Sequence, residues 1–107
     1  MGIKEDMQAE ESHLMADLLR NKFEPIGNIT MKKMFLGYGI FHDGKMFGMI
    51  NSEGLAFLKV NGSTKKYYEE KSAERHSKMP YYTISKEILD NQELFTEWAL
   101  KSIELSK

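Results

Sequence analysis

The sequence predicts an α+β fold in which a mainly antiparallel sheet carries helices on one face. The pattern along the 107 residues is helix, strands, helix, strand, helix, an order typical of the α+β class. An Asp43-Gly44 pair between two apolar runs indicates a tight hairpin. The connections between the first four strands are short, so these strands can pair antiparallel without crossover helices.

The first predicted helix covers residues 6–23 and ends before Pro25, because the residue before a proline avoids the helical region. Its apolar residues recur at helical spacing, and we expect them to form the face that packs on the sheet. These residues are Leu14, Leu18, Leu19 and Phe23.

Four strands follow in a meander. They are predicted over residues 29–35, 38–42, 46–50 and 55–60. Asp43 and Gly44 suit a type I′ turn, which needs a positive φ at both central residues. Gly54 ends the next turn, and we expect it to adopt a left-handed conformation.

A second helix is predicted over residues 65–72, with Ser63 or Thr64 as its N-cap. The pair Tyr67-Tyr68 in its middle would dock on the sheet. Residues 80–84 form one more strand, because Pro80 at the first position of a strand is tolerated.

The last part of the chain is predicted to be helical. Ser85 would cap a short turn over residues 86–89, and Asp90 with Glu93 would form an acidic capping box for the final helix. The inner face of that helix is expected to contain Leu94, Phe95, Trp98 and Ser102 or Ile103.

Composition limits the function classes. We expect one domain over residues 1–107, with residues 1–8 disordered or frayed. There is no cysteine, which excludes disulfides and thiol chemistry. The formal net charge of -1 gives no overall attraction to nucleic acid or to an anionic membrane. No segment reaches the roughly 20 apolar residues of a membrane span. We expect a cytoplasmic protein that does not contact a membrane.

No catalytic pattern stands out. Gly37, Gly39 and Gly48 lie within strands, where glycine marks a bulge or close backbone approach more often than a phosphate loop. The histidines lie far apart on different elements and lack metal-site spacing. We therefore expect no enzyme activity, no metal and no cofactor.

One basic cluster is a candidate for nucleic-acid or partner contact. It contains Lys65, Lys66, Lys71, Arg75 and Lys78. Tyrosines nearby suit base stacking. Interleaved glutamates nearly cancel the charge, so a solvated surface is the simpler interpretation.

The methionines allow two interpretations. Met31, Met34, Met46, Met49 and Met79 could form an adaptable binding surface. Their positions within strand patterns favour core packing.

Several runs resemble the TfoX N-terminal domain family. The run 34–50 resembles its signature of a glycine-containing strand, an Asp-Gly turn and an MFGLI-like strand. Residues 55–60 resemble its LYLKV strand, residues 77–82 its MSYY or MPYW strand, and residues 88–99 its closing helix with a Trp-Ala pair. Leu36 replaces a usual glycine, and residues 75–78 replace a longer loop.

The resemblance implies a two-layer domain with a curved sheet, similar to a secretion-chaperone-like fold. It also implies a non-enzymatic regulatory module linked to natural competence, with a partner in the transcription machinery such as the cyclic-AMP receptor protein. Direct DNA binding by this domain alone is not expected. The alternative is a small-ligand or peptide-binding domain that uses the sheet face. Exposed strand edges are also compatible with a homodimer.

Overall fold

The fold is described from a computed structural model. It describes residues 3–34, 37–62, 64–70, 73–75 and 79–107, with side chains from residue 10 onward. The elements are α1 (Ile3–Phe23), β1 (Ile29–Met34), β2 (Gly37–His42), β3 (Lys45–Ile50), β4 (Ala56–Lys59), α2 (Lys65–Glu70), β5 (Tyr81–Thr83), α3 (Lys86–Asp90) and α4 (Gln92–Leu105). Some residues of the predicted elements lie outside the described ranges. They are residues 1–2 of the N-terminus, residue 35 of the first predicted strand, residues 71–72 of the second predicted helix, and its candidate cap Ser63. The expectation of a frayed start over residues 1–8 stays a prediction.

The five strands form one antiparallel sheet in the order β1-β2-β3-β4-β5. Both α1 and α4 contact β3 and also contact each other, so they lie on the same side of the sheet. We call this side the inner face and the opposite side the outer face. The predicted α+β fold, a meander plus a further strand with helices on one face, is confirmed.

The turns follow the predicted chemistry. Asp43 and Gly44 have φ values of 51° and 82°, as a type I′ turn requires. Gly54 has a φ of 83°, which confirms the left-handed conformation expected there.

Two strand glycines allow the backbones to approach closely. A Cβ atom added at Gly48 would lie 2.8 Å from the carbonyl oxygen of Phe57, and one added at Gly37 would overlap the carbonyl oxygen of Ile50. The register of β2 and β3 also shifts between Ile40 and Phe41. The interpretation of these glycines as marks of close approach and a bulge is confirmed.

The core lies between the inner face and the two long helices. Phe23 of α1 contacts Phe47 of β3 and Phe95 of α4, with ring centroids 5.6 and 5.0 Å apart. All three rings are buried, as are Ile40 and Leu58. Burial of these large apolar side chains is the main stabilising contribution to the fold.

The predicted inner face of α1 is partly wrong. Leu14 and Leu18 are 62% and 43% exposed. The buried face contains Ser12, Ala16, Leu19 and Phe23. Ser12 donates a hydrogen bond of 2.6 Å to the carbonyl of Asn51. The small residues Ser12 and Ala16 let the helix approach the sheet closely. Leu14 and Leu18 lie beside this buried stripe and are exposed to solvent.

The cap of the final helix is also corrected. Asp90 is the last residue of α3, and Asn91 caps α4 by accepting a hydrogen bond from the Leu94 amide at 3.1 Å. Ser85 caps α3 as predicted, since its hydroxyl accepts from the Ile88 amide. Because Asp90 belongs to the separate helix α3, the next residue along the chain, Asn91, caps α4.

Candidate partner-binding surface

The outer face is defined by the strand register. Side chains of a strand alternate between the two faces. Because Ile40 and Leu58 lie in the core, their chain neighbours point to the other side. Pairing extends this assignment across the sheet. The outer face contains Thr30, Lys32, Met34, Gly39, Phe41, Met46, Met49, Phe57, Lys59, Tyr81 and Thr83. The two long described helices, α1 and α4, both pack on the inner face, so neither of them covers the outer face.

The exposure of this face changes from one end to the other. Met34 is 41% exposed, and Phe41, Met46 and Met49 are half-buried. Phe57, nearer β5, is only 3% exposed. The outer face therefore has apolar residues on β2, β3 and β4, and these are more exposed on its β1, β2 and β3 side than near β5.

Gly39 makes room for two of these side chains. A Cβ atom at this position would lie 2.6 Å from the sulfur of Met34 and 2.9 Å from the ring of Phe41. Both side chains therefore lie close above the glycine. Lys32 places its ammonium 5.3 Å from the centroid of the Phe41 ring, a distance at which a cation is attracted to the ring face. The open end of the outer face is thus a methionine and phenylalanine patch with a cation beside it.

The structure divides the methionines between the two interpretations. Met31 packs against the core from the inner face. Met34, Met46 and Met49 lie on the outer face, and Met79 is 43% exposed. Four of the five methionines therefore lie where a partner could contact them.

The predicted basic cluster is only partly brought together. Lys65 and Arg75 line one cleft of about 280 Å³ that Tyr82 also lines. Glu69 lies 3.8 Å from the Lys65 ammonium and accepts a 3.4 Å hydrogen bond from the Tyr82 hydroxyl. The guanidinium Nε of Arg75 donates to the carbonyl of Met79.

Of the other members, Lys66 is exposed on α2, and Lys71 and Lys78 lie outside the described residues. Their role in contacting nucleic acid or a partner stays a prediction.

Three of the four tyrosines near this cluster, Tyr68, Tyr81 and Tyr82, are buried, and Tyr67 is half-buried. Tyr67 stacks on Trp98 with ring centroids 4.1 Å apart. Tyr68 and Tyr82 are buried and lie 6.2 Å apart, which confirms that the Tyr67-Tyr68 pair docks inward. Tyr81 is buried on the outer face. These rings pack within the fold and do not form an exposed platform for bases.

One buried hydroxyl has a perturbed acidity. Burial raises the pKa of Tyr68 above its ordinary value. Ser102 donates its own hydrogen bond to the carbonyl of Lys59 at 2.8 Å. The Tyr68 hydroxyl has no hydrogen-bond partner among the described atoms, and neither does the indole nitrogen of Trp98.

The described histidines have surface partners. His13 lies 3.5 Å from Asp17 and 3.2 Å from the Tyr38 hydroxyl. His42 lies 3.6 Å from Asp43 in the hairpin turn. Within the described ranges, no group of three histidines or carboxylates could hold a metal ion. None of the helices in those ranges has the length and apolarity needed to cross a bilayer.

Sequence reasoning missed the outer face as a unit. The residues of β2, β3 and β4 are apolar on both faces, so alternation does not separate the two sides. The signal that was present is the concentration of methionine in these strands. The basic cluster, which was predicted from its charge, lies near β4 and β5, at the opposite end of the sheet from β1.

Comparison with known proteins supports the resemblance seen in the sequence. A family model for the TfoX N-terminal domain matches residues 21–106, nearly the whole chain. No curated protein matches the chain.

Proposed function

We propose that this chain, which belongs to the TfoX N-terminal domain family, is a non-enzymatic regulatory module that binds another protein. In this proposal the partner belongs to the transcription machinery, and the contact is made by the outer face of the sheet. Family membership supports the regulatory role. The partner and the surface are the finer parts of the proposal.

The observation that carries the proposal is the open, methionine-rich end of the outer face. Met34, Phe41, Met46 and Met49 form an apolar surface that neither of the long helices covers. An apolar patch left on the surface of a small domain commonly marks a site of protein interaction. Methionine side chains are flexible and polarizable, so they adapt to the shape of a partner.

The proposal can be tested by capture from the native cytoplasm. The tagged full chain is compared with the variant Met46→Glu, which places a charge on the outer face. The matched control is Leu100→Glu, because Leu100 is an exposed apolar residue, 49% exposed, on α4. We expect wild type and Leu100→Glu to recover the same transcription component, and Met46→Glu to lose it.

Two results would overturn the proposal. Recovery of no transcription component by the wild-type chain would remove the regulatory role. Equal recovery by Met46→Glu and Leu100→Glu would show that the outer face is not the contact surface.

A further inference from the structure

The first strand of the sheet has an unpaired edge. β1 pairs with β2 along six residues, from Ile29 opposite His42 to Met34 opposite Gly37. It is the terminal strand in the sheet order, and no described strand lies on its other side. A strand in this position presents backbone N–H and C=O groups to solvent and can pair with a further strand.

The alternation of hydrogen-bonded pairs between β1 and β2 shows which backbone groups of β1 point toward the free edge. The amide of Asp43 donates to the carbonyl of Asn28, so this pair bonds across β1 and β2. In an antiparallel ladder, bonded and non-bonded pairs alternate. Ile29, Met31 and Lys33 therefore turn their N–H and C=O groups away from β2 and toward the free edge.

A groove lies beside this edge on the inner side. Its volume is about 290 Å³, and it lies between the end of α1 and β1. Its apolar lining comes from Phe23, Ile29 and Met31, and its charged lining from Arg20 and Glu24. Because side chains of an added strand alternate between faces, every second one would point toward this groove.

The positive charge of β1 indicates the kind of strand that could pair with its free edge. Lys32 and Lys33 are its charged residues and are both exposed. By alternation, Lys32 lies on the outer side and Lys33 on the inner side. Neither lysine forms an ion pair with a described residue. Arg20 adds a third cation at the groove, where Asp17 holds it at 2.8 Å.

A second copy of this chain fits the edge poorly. Antiparallel pairing of two β1 strands would bring four lysines into one short ribbon that contains no acidic residue. Like charges opposite each other on paired strands are destabilising, and edge lysines discourage association of this kind. An acidic strand from another protein would instead meet a cation on each face.

We propose that β1 is the docking edge for an extended, acidic segment of a different protein. The segment adds to the sheet as a sixth antiparallel or parallel strand, bonds to the outward groups of Ile29, Met31 and Lys33, and places an apolar side chain in the groove. The inference rests on the proposed function, since it names the chemistry of the protein partner. Main-chain hydrogen bonds would supply affinity, and the groove with the lysines would supply specificity.

The test uses a synthetic peptide and the full-length chain. The probe is the end-capped heptapeptide Asp-Glu-Val-Leu-Val-Glu-Asp, which as a strand carries acidic residues on both faces, and its control has lysine at every acidic position. Amide NMR spectra and hydrogen exchange are recorded during titration. We expect the acidic peptide to slow exchange of the Ile29, Met31 and Lys33 amides by about fivefold or more, since each gains a hydrogen bond. The basic peptide should leave them unchanged.

Charge-reversal variants separate the edge from the other basic region. Lys32→Glu combined with Lys33→Glu should weaken binding of the acidic peptide by about tenfold or more, because attraction becomes repulsion. The matched control, Lys65→Glu combined with Lys66→Glu, makes the same charge change on α2 and should leave binding within about twofold of wild type.

Three outcomes would overturn the inference. They are no binding at peptide concentrations up to about 1 mM, binding that shifts α2 resonances and leaves the β1 amides unprotected, or a wild-type dimer that already protects these amides. Failure here is distinct from failure of the proposed function. If Met46→Glu still abolishes capture of a transcription component, the binding module stands and only the edge assignment falls.

Discussion

The two faces of this sheet are built from similar residues but differ in how far their side chains are buried. On the inner face, Phe47 and Ile40 are fully buried beneath α1 and α4. On the outer face, Phe41, Met46 and Met49 remain half-buried on the side of the sheet away from these helices. The same meander therefore has a fully buried core on its inner face and partly exposed apolar side chains on its outer face.

Under the proposed function, this difference separates stability from binding. Close-packed apolar side chains in a core lose several kcal/mol when they are truncated. Half-buried methionines contribute less to folding and keep the rotamer freedom that contact with a partner can use. Substitutions on the inner face should therefore change stability, and substitutions on the outer face should change binding.

The largest expected effect separates two phenylalanines. Phe47→Ala should lower the free energy of unfolding by about 3–5 kcal/mol, because it removes a fully buried ring in contact with Phe23. Phe41→Ala on the outer face should cost about 1 kcal/mol, because that ring is only half-buried. Urea unfolding followed by circular dichroism measures both values. Equal losses would contradict the division between the faces.

A smaller effect separates two glycines. Gly48→Ala places a methyl group 2.8 Å from the backbone oxygen of Phe57, and we expect it to cost about 1–3 kcal/mol because backbone cannot move aside easily. Gly39→Ala meets the Met34 sulfur at 2.6 Å and the Phe41 ring at 2.9 Å. Met34 can rotate away and the half-buried Phe41 ring can shift toward solvent, so the cost should be smaller than for Gly48→Ala, about 1 kcal/mol.

Thermal melts of the two glycine variants, with wild type as reference, test this comparison. A larger loss for Gly39→Ala than for Gly48→Ala would show that the outer-face side chains are as rigidly packed as the core.

Much of the fold could be predicted because local chemistry determines it. Asp43, Gly44 and Gly54 all have positive φ. Glycine and aspartate are among the few residue types that adopt positive φ at low cost, so the turns of the meander could be predicted from the sequence. The face of α1 was not readable, because the helix approaches the sheet through Ser12 and Ala16 rather than through its larger leucines.

The candidate site was harder to predict for a related reason. Ala56, Phe57 and Leu58 are all buried, so β4 shows no apolar and polar alternation that would identify its two faces. The tyrosines of the basic region were expected to be available for stacking on bases, yet the half-buried Tyr67 stacks on Trp98. Tertiary packing decides both points.

A smaller effect at neutral pH concerns the buried Tyr68 hydroxyl. It has no hydrogen-bond partner among the described atoms, so Tyr68→Phe should stabilise the fold at pH 7 by about 1 kcal/mol, because the cost of burying an unpaired hydroxyl is removed. Burial raises the folded-state pKa of Tyr68 above the ordinary value of 10.0. Stability contributed by this group is present below pH 10.0 and is lost as the pH rises further, because only the unfolded chain ionises readily.

At pH 11, the advantage of Tyr68→Phe over wild type should therefore be larger than at pH 7 by about 1 kcal/mol. Urea unfolding at both pH values measures this difference. A variant that is destabilised at pH 7 would show that the hydroxyl is paired, and an advantage that does not grow at pH 11 would show that its pKa is not raised.

The most direct test of the division between the faces measures stability and partner capture on the same variants. Met46→Glu on the outer face should shift the melting temperature by less than about 5 °C and should lose the captured transcription component. Leu100→Glu on α4 should keep both at the wild-type level. Capture by Met46→Glu equal to that by Leu100→Glu, with both variants folded, would contradict the assignment of the outer face as the binding surface.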